Sequence, residues 1–229
     1  MTVLTDGIIP HSNITMADRI ESSIRQDIIN GTIAPGARLR VADLSARYGV
    51  SHIPVREALR QLEGDRLVTI ESFKGAVLRG INIKFVADMH DTRAAIEALL
   101  VRNAAMKATD EQLERLQTLR KKYEEAAALQ ETAKMVQANI EFHRHISLLA
   151  DNPEAARLMD QGWELVIGIR QRFGFGSNRV STIIDEHRRL ADAIGNREPM
   201  LAVEVAQEHC NSAKDDLLTQ MERAGIAPS

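Results

Sequence analysis

The sequence predicts a mainly α-helical protein, with an N-terminal winged helix-turn-helix that includes a small β-hairpin, followed by an all-α bundle of six to seven helices. Three observations support this fold class. Residues 41–67 have the pattern of two short helices joined by a tight turn, two short β-type runs follow them, and helical periodicity then continues over residues 83–223. We therefore expect a flexible arm at residues 1–14, a first domain at 15–80 and a helical domain at 81–229.

The two short helices are joined at residues 48–51. Gly49 can adopt the left-handed conformation that ends a helix and turns the chain. Ser51 can cap the second helix through its hydroxyl. Pro54 falls in the first turn of that helix, where a missing N–H is tolerated. These residues predict a tight helix-turn-helix.

The second of these helices has two distinct faces. Apolar residues recur at i, i+3, i+4 and i+7, which predicts a buried face. His52, Arg56 and Arg60 are four residues apart and share another face, which a buried helix can present to a DNA major groove. The alternative is an ordinary solvated basic face on a helical hairpin. The predicted buried face consists of Val55, Ala58, Leu59 and Leu62.

The flanking segments complete a winged-helix plan. Residues 15–18 resemble a capping box with Asp in place of Glu, and an amphipathic helix follows. After the helix-turn-helix, residues 67–70 and 76–78 are predicted to be strands, with the hairpin tip at 72–75. Lys74 would lie at this tip, where a wing can reach phosphates or the minor groove.

This N-terminal segment resembles the DNA-binding domain of GntR-family bacterial transcription regulators. His52 departs from the pattern, because many members carry Arg there and a neutral imidazole donates fewer hydrogen bonds than a guanidinium. The matching residues are 29–39, 44–47, 49–51, 54–59, 62–63 and Gly75. The resemblance implies a DNA-contacting set of Arg38, Arg47, Ser51, His52, Pro54, Arg56, Arg60, Lys74 and Gly75.

Charge and cysteine usage fit a DNA-binding regulator. The net charge is −3, but residues 16–80 carry ten Lys and Arg against eight Asp and Glu, so that segment is net positive. Cys210 is the single cysteine, which precludes an intrachain disulfide and favours a cytoplasmic location. The first ten residues lack the pattern of a signal peptide, and no apolar run approaches the ~18 residues of a membrane span.

The second domain is predicted to be helical throughout, with turn signals between its helices. The scarcity of aromatic residues means that its core must consist mainly of aliphatic side chains and Met. A bundle of antiparallel helices of this length leaves room for a central cavity. The predicted helices are 83–107, 110–129, 132–150, 153–173, 179–195 and 198–223.

Three histidines on three of these helices give the bundle possible chemistry. His143, His187 and His209 could converge on a transition-metal ion, because neutral imidazole is a good ligand for Zn, Ni or Mn-type ions. The alternative is that three histidines on three helices have three separate roles.

The bundle resembles the effector domain of the FadR-like branch of the GntR family, on residues 93–97, 139–143, 151–153 and 186–194 and on His209. That resemblance implies one divalent transition metal per chain, held by three His and an Asp four residues before the first of them. The matching set here is Asn139, His143, His187 and His209. Asn139 is the departure, because an amide oxygen brings no negative charge and binds transition metals more weakly than a carboxylate does.

The resemblance also implies a small organic acid bound beside the metal. Arg93 and Arg170 are the candidate effector-binding residues, because a guanidinium inside a cavity is a natural carboxylate clamp. The alternatives are an ordinary Arg93–Glu97 pair at i, i+4, and a solvated surface position for Arg170. Trp163 could line the pocket or belong to the core.

The resulting expectation is a homodimeric repressor that binds double-stranded operator DNA, with an affinity that the acid changes. A metal hydrolase with a tethered DNA-binding module is disfavoured, because the sequence has no HExxH pair, nucleophile elbow or phosphate loop. Glu186 and Glu208 should also point away from the histidines that follow them. We therefore predict no enzyme activity. A structural DNA-binding protein without an effector remains the other alternative, and it would need no converging polar residues in the bundle.

Overall fold

The computed structural model describes residues 14–29, 32–71, 75–161 and 163–226. The N-terminal part contains α1 (Met16–Ile29), β1 (Arg38–Leu39), α2 (Val41–Tyr48), α3 (His52–Gly64), β2 (Val68–Glu71) and β3 (Gly75–Leu78). The C-terminal part contains α4 (Ile83–Lys107), α5 (Asp110–Ala128), α6 (Thr132–Leu149), α7 (Pro153–Asp160), α8 (Trp163–Phe173), α9 (Arg179–Gly195) and α10 (Pro199–Arg223). The predicted fold class is confirmed.

The helix-turn-helix forms as the sequence predicts, except for its cap. Gly49 is left-handed, with φ 66° and ψ 34°, and it ends α2. Ser51 occupies the N-cap of α3, but its hydroxyl accepts no hydrogen bond from the helix, so the predicted cap is wrong. Pro54 stands at the third helical position and lacks one of the two N–H groups that a capping side chain can bond. The predicted buried face of α3 is confirmed.

The wing is a small antiparallel sheet with the strand order β1-β3-β2. The hairpin of β2 and β3 was predicted, whereas β1 was not, because two residues carry no readable alternation. Gly75 begins β3 with φ +95°, and a Cβ there would lie 2.4 Å from the carbonyl oxygen of Leu39. Only glycine therefore lets β1 pass this close to β3. The predicted tip residue Lys74 lies outside the described residues.

The bundle differs from prediction at one break. The single helix expected over residues 153–173 is wrong, because α7 ends at Asp160 and α8 begins at Trp163. Gln161 has an extended backbone, with φ −64° and ψ 114°. The break turns the chain so that α8 packs against α1 of the winged-helix part. The other predicted bundle helices agree with the structure to within one residue at each end.

One apolar core joins the two parts of the molecule. Ile24 of α1 is fully buried in the same cluster as Leu165 and Ile169 of α8 and Met221 of α10. Beside this core, Arg25 of α1 pairs with acidic side chains from α1, α8 and the end of α3. The winged helix and the bundle are thus packed together. In the part of the chain that the structure describes, no helix has the length and hydropathy needed to cross a bilayer.

Candidate functional site

A concave surface on the winged helix collects five of the predicted DNA contacts. It is lined by residues of β1, α3 and β3, so the recognition helix and the wing share one groove. His52, Arg56 and Arg60 are exposed, and within the described residues none of the three has a hydrogen-bond or ion-pair partner. Three unpaired donor side chains along one helix face are available to bases and phosphates. The five predicted residues in the groove are Arg38, His52, Arg56, Arg60 and Gly75.

Two of the predicted cationic contacts already have protein partners. Arg38 forms a 3.0 Å ion pair with Glu71 across the sheet, at a largely exposed position. Arg47 forms a 2.8 Å ion pair with Asp27 of α1, which also accepts a 2.6 Å hydrogen bond from the Tyr48 hydroxyl. Arg47 therefore links α2 to α1 through this ion pair.

Three predicted contacts lie outside the lining of this groove. Arg47 and Ser51 do not line it, although both are exposed. Pro54 is half-buried in the first turn of α3, where it shapes the helix start.

In the bundle, the three predicted histidines do converge. α6 supplies His143, α9 supplies His187 and α10 supplies His209, and all three are buried. One ligating nitrogen of each lies within 4.8 Å of those of the other two. The ring centroids are 5.0–5.3 Å apart. Such a cluster can hold a transition-metal ion, because neutral imidazole nitrogens are its preferred ligands.

Two buried carboxylates orient two of these rings. Glu97 of α4 lies against Nδ1 of His143, and Glu186 of α9 lies 2.7 Å from Nδ1 of His209. Each carboxylate can accept a hydrogen bond from Nδ1–H and leave Nε2 free as the ligating nitrogen, which is the usual outer shell of a metal-bound histidine. Nε2 of His143 and both ring nitrogens of His187 have no hydrogen-bond partner within the described residues.

A buried arginine completes this outer shell. Arg179 of α9 donates to both oxygens of Glu186, at 3.0 and 2.9 Å, and to the backbone carbonyl of His209 at 3.3 Å. Burial acts to raise the pKa of Glu186, but the opposing effect of His209 and Arg179 is larger and lowers that pKa to about 2. The Glu186 carboxylate is therefore ionised at neutral pH, fixed at the back of the cluster.

Burial also affects the protonation of two of the histidines, His187 and His209. It lowers the pKa of His187 well below its ordinary value, and the neighbouring His209 and His143 act in the same direction. Burial lowers the pKa of His209 as well, against the opposing effect of Glu186. Neutral rings at physiological pH are the form that binds metal.

A cavity of about 70 Å³ adjoins the cluster. Asn139 lines it, one helical turn before His143 on α6, as the i, i+4 spacing predicts. Arg93 and Arg170 line it too, so the predicted metal and effector residues share one site.

The two predicted effector arginines are both held by other protein groups. Arg93 pairs with Glu97 at 3.2 Å, as the alternative prediction had it, and its guanidinium lies 4.3 Å from the centroid of the Trp163 ring. Arg170 is only 11% exposed in its side chain, so the alternative of a solvated surface position is wrong. It pairs with Asp216 and donates to two backbone carbonyls at 2.9 Å.

Sequence reasoning missed four polar residues of this site. Glu97 and Glu186 fall inside segments already singled out, and Glu186 contacts Nδ1 of His209. Glu208, by contrast, pairs with a surface arginine. Arg179 and His90 also line the cavity, and neither belongs to a pattern that the sequence singled out.

A winged helix packed on a helical bundle with a polar internal cavity defines a ligand-responsive class of DNA-binding regulators. Residues 16–78 match the family described as bacterial regulatory proteins, gntR family, and residues 88–212 match the FCD domain. The chain therefore belongs to the gntR family of bacterial transcriptional regulators, with an FCD domain as its bundle. It is a transcriptional regulator.

Individual relatives agree with this assignment. The chain is 27% identical over 191 residues to the uncharacterized HTH-type transcriptional regulator YdhC of Bacillus subtilis, covering 83% of this chain and 85% of that protein. It is 39% identical over 88 residues to the HTH-type transcriptional repressor GlaR of Escherichia coli, covering 38% of this chain and 40% of that protein. The fold is similar to that of E. coli McbR/YncC, with a TM-score of 0.78, 19% identity and coverage of 91% and 99% of the two chains.

Proposed function

We propose that this chain is an operator-binding repressor whose DNA affinity changes when a small organic acid binds in the bundle cavity beside a divalent metal ion. Residues 15–80 form the DNA-binding domain and residues 81–229 the effector and dimerisation domain. The observation that carries the proposal is the buried cluster of three histidines, two of which contact a buried carboxylate. We propose repression and not activation because the chain is similar to the transcriptional repressor GlaR.

The side chains at the cluster fit a transition metal of the Zn, Ni or Mn type. His143, His187 and His209 would hold it, and Asn139 could add an amide oxygen. Unpartnered ring nitrogens in a buried site support this reading, because buried polar groups are rarely left without a partner. A bound ion would act as a Lewis acid that attracts the carboxylate of the effector.

The effector carboxylate would also meet positive charge from the protein. Arg179 is buried and its Nε has no hydrogen-bond partner within the described residues, although its other nitrogens are engaged. Arg93 lies at the cavity wall and is only 11% exposed in its side chain. Arg170, which is paired with Asp216, forms part of the cavity wall and adds positive electrostatic potential there.

Helix α8 offers a direct route from the cavity to the DNA-binding domain. Trp163, Ile167 and Arg170 line the cavity from one face of this helix. Leu165 and Ile169 on another face are buried in the core shared with α1. An acid that favours one placement of α8 would therefore shift the winged helix, provided that it binds the two placements with different affinity.

Metal content tests the first half of the proposal. Native mass spectrometry of protein purified without chelator should give a dimer with one metal per chain. Mutation of an outer-shell partner typically weakens metal binding by roughly 10–100-fold. Since His209 is a proposed ligand, His209→Ala should weaken metal binding by more than that. The matched control is His145→Ala, because His145 contacts the Gln112 carbonyl outside the cluster. Equal metal content in both variants would remove His209 from the site.

DNA binding tests the second half. A DNA fragment selected by the protein from a random pool serves as the probe, and affinity is measured with and without a saturating small acid. We expect Arg56→Ala to weaken DNA binding while leaving the bundle folded, since Arg56 is exposed and has no partner in the described structure. Unchanged DNA affinity when an acid demonstrably saturates the bundle would contradict the regulatory proposal.

A further inference from the structure

One polar group in the cavity has no role in the metal cluster. His90 of α4 is only 4% exposed, and both of its ring nitrogens lack a hydrogen-bond partner within the described residues. It lines the same cavity as Asn139, His143 and His209. A buried imidazole with both nitrogens unpaired is rare in a protein interior, so we expect a partner for it to enter the cavity.

The surroundings of His90 hold its ring in place. The ring meets Trp163 edge-on, with centroids 5.0 Å apart and an interplanar angle of 77°. Trp163 is itself covered by the Arg93 guanidinium, 4.3 Å from its centroid. His90 is therefore fixed against an aromatic wall.

The charge state of His90 selects the kind of partner. Burial, then the nearby Arg93 and Arg170, lower its pKa to about 3, so the ring is neutral at physiological pH. A neutral imidazole offers one donor and one acceptor, which a hydroxyl or a carbonyl oxygen can match. A carboxylate is better satisfied at the histidine cluster, where a metal ion and Arg179 would supply positive charge.

We propose that His90 is a second ligand anchor, which binds a neutral hydroxyl or carbonyl oxygen of the acid whose carboxylate lies at the histidine cluster. The effector class is then a small hydroxy or oxo acid, in preference to an unsubstituted acid. The cavity of about 70 Å³ that His90 lines has room only for a small group, because it is far below the ~300–1,000 Å³ of common drug-sized ligand pockets. This inference rests on the proposed effector function.

The test compares acids that differ by one hydroxyl. Calorimetry on the full-length protein, as purified with its metal, would use lactate against propionate and 3-hydroxybutyrate against butyrate. We expect the better-fitting hydroxy acid to bind about tenfold more tightly than its partner, since the hydroxyl satisfies a buried group that is otherwise unpaired.

Variants of His90 test whether this residue is responsible for the preference for hydroxy acids. His90→Phe keeps a ring against Trp163 and should bind both acids of a pair equally, at the affinity of the unsubstituted one. His90→Gln restores a donor and an acceptor and should recover part of the discrimination. His145→Phe, which removes an imidazole outside the cavity, should leave the discrimination unchanged.

A spectroscopic measurement covers the case in which His90→Phe does not fold. Long-range ¹H–¹⁵N spectra of the unaltered protein should show the His90 ring nitrogens shifting with a hydroxy acid and not with its unsubstituted partner. Equal affinities within each pair, or discrimination that survives in His90→Phe, would overturn the inference and leave the effector function standing. Failure of every acid to bind would instead remove the effector function, and the His90 anchor with it.

Discussion

Arg25→Met tests whether the packing between the two parts of the protein is the one described. Arg25 lies on α1, and its side chain is 21% exposed. It pairs with Glu21 of α1, with Asp65 at the end of α3 and with Glu164 of α8. Methionine keeps the apolar stem but removes the cation that links the winged helix to the bundle.

The magnitude follows from the burial of the partners. Glu164 is also 21% exposed in its side chain, and its Oε2 has no hydrogen-bond partner within the described residues. Burial raises the pKa of Glu164, and Arg25 opposes that rise. Exposed pairs contribute about 0–1 kcal/mol, whereas breaking a buried pair costs about 3–5 kcal/mol. A half-buried network should lie between them, so we expect a loss of about 2 kcal/mol.

Urea unfolding provides the assay, followed by circular dichroism and by the fluorescence of Trp163, the only tryptophan of the chain. The free energy of unfolding should fall by about 2 kcal/mol in Arg25→Met. A double-mutant cycle of Arg25→Met with Glu164→Gln should give a coupling energy of at least ~1 kcal/mol. Arg19→Met is the control, because Arg19 is exposed on the same helix and has no ion-pair partner in the described structure. Loss of less than ~0.5 kcal/mol, or equal losses in the two arginine variants, would refute the reasoning.

Three further predictions address the site, the fold and pH. Glu186→Gln should weaken metal binding about 10–100-fold by isothermal titration, while Glu208→Gln, at the surface, should not. Gly75→Ala should cost about 1–3 kcal/mol of unfolding free energy because of its positive φ and the Leu39 clash, whereas Gly80→Ala, with open space, should be near neutral by urea titration. The folded pKa of His90 is about 3 and its ordinary value is 6.5, so the unfolded state takes up that proton first and stability falls as pH drops below about 6.5. His90→Phe should remove up to ~1.4 kcal/mol per pH unit of this slope, measured by urea unfolding between about pH 6.5 and 5, and an unchanged slope would contradict it.

Local patterns predicted most of the fold, because its turns and helix ends are encoded by neighbouring residues. Gly49 and the apolar spacing of α3 suffice to define the helix-turn-helix. The break between α7 and α8 was missed because the apolar face of α8 packs against α1, more than a hundred residues away. The predicted Ser51 cap is absent, and a local feature acts against it, because Pro54 leaves the third helical position without an N–H.

The site divides in the same way. Histidines on three helices could be proposed as ligands from residue type and resemblance, and the structure brings them together. Their outer shell could not be predicted, because the Glu97–His143 and Glu186–His209 contacts join positions 46 and 23 residues apart. His90 is harder still to foresee, since what distinguishes it is the absence of a hydrogen-bond partner within the described residues, a property that only packing reveals.

The balance of charge around the cluster links metal and acid. Glu97 and Glu186 are paired with Arg93 and Arg179, so these four side chains together bring no net charge to the surroundings of the metal position. A divalent ion would therefore bring almost its full charge into a buried site, because Asn139 supplies an amide where an Asp would supply a carboxylate. Such a charge is costly in a protein interior unless an anion accompanies it. The carboxylate of the effector is the natural anion, so metal and acid should each strengthen the binding of the other by the same factor.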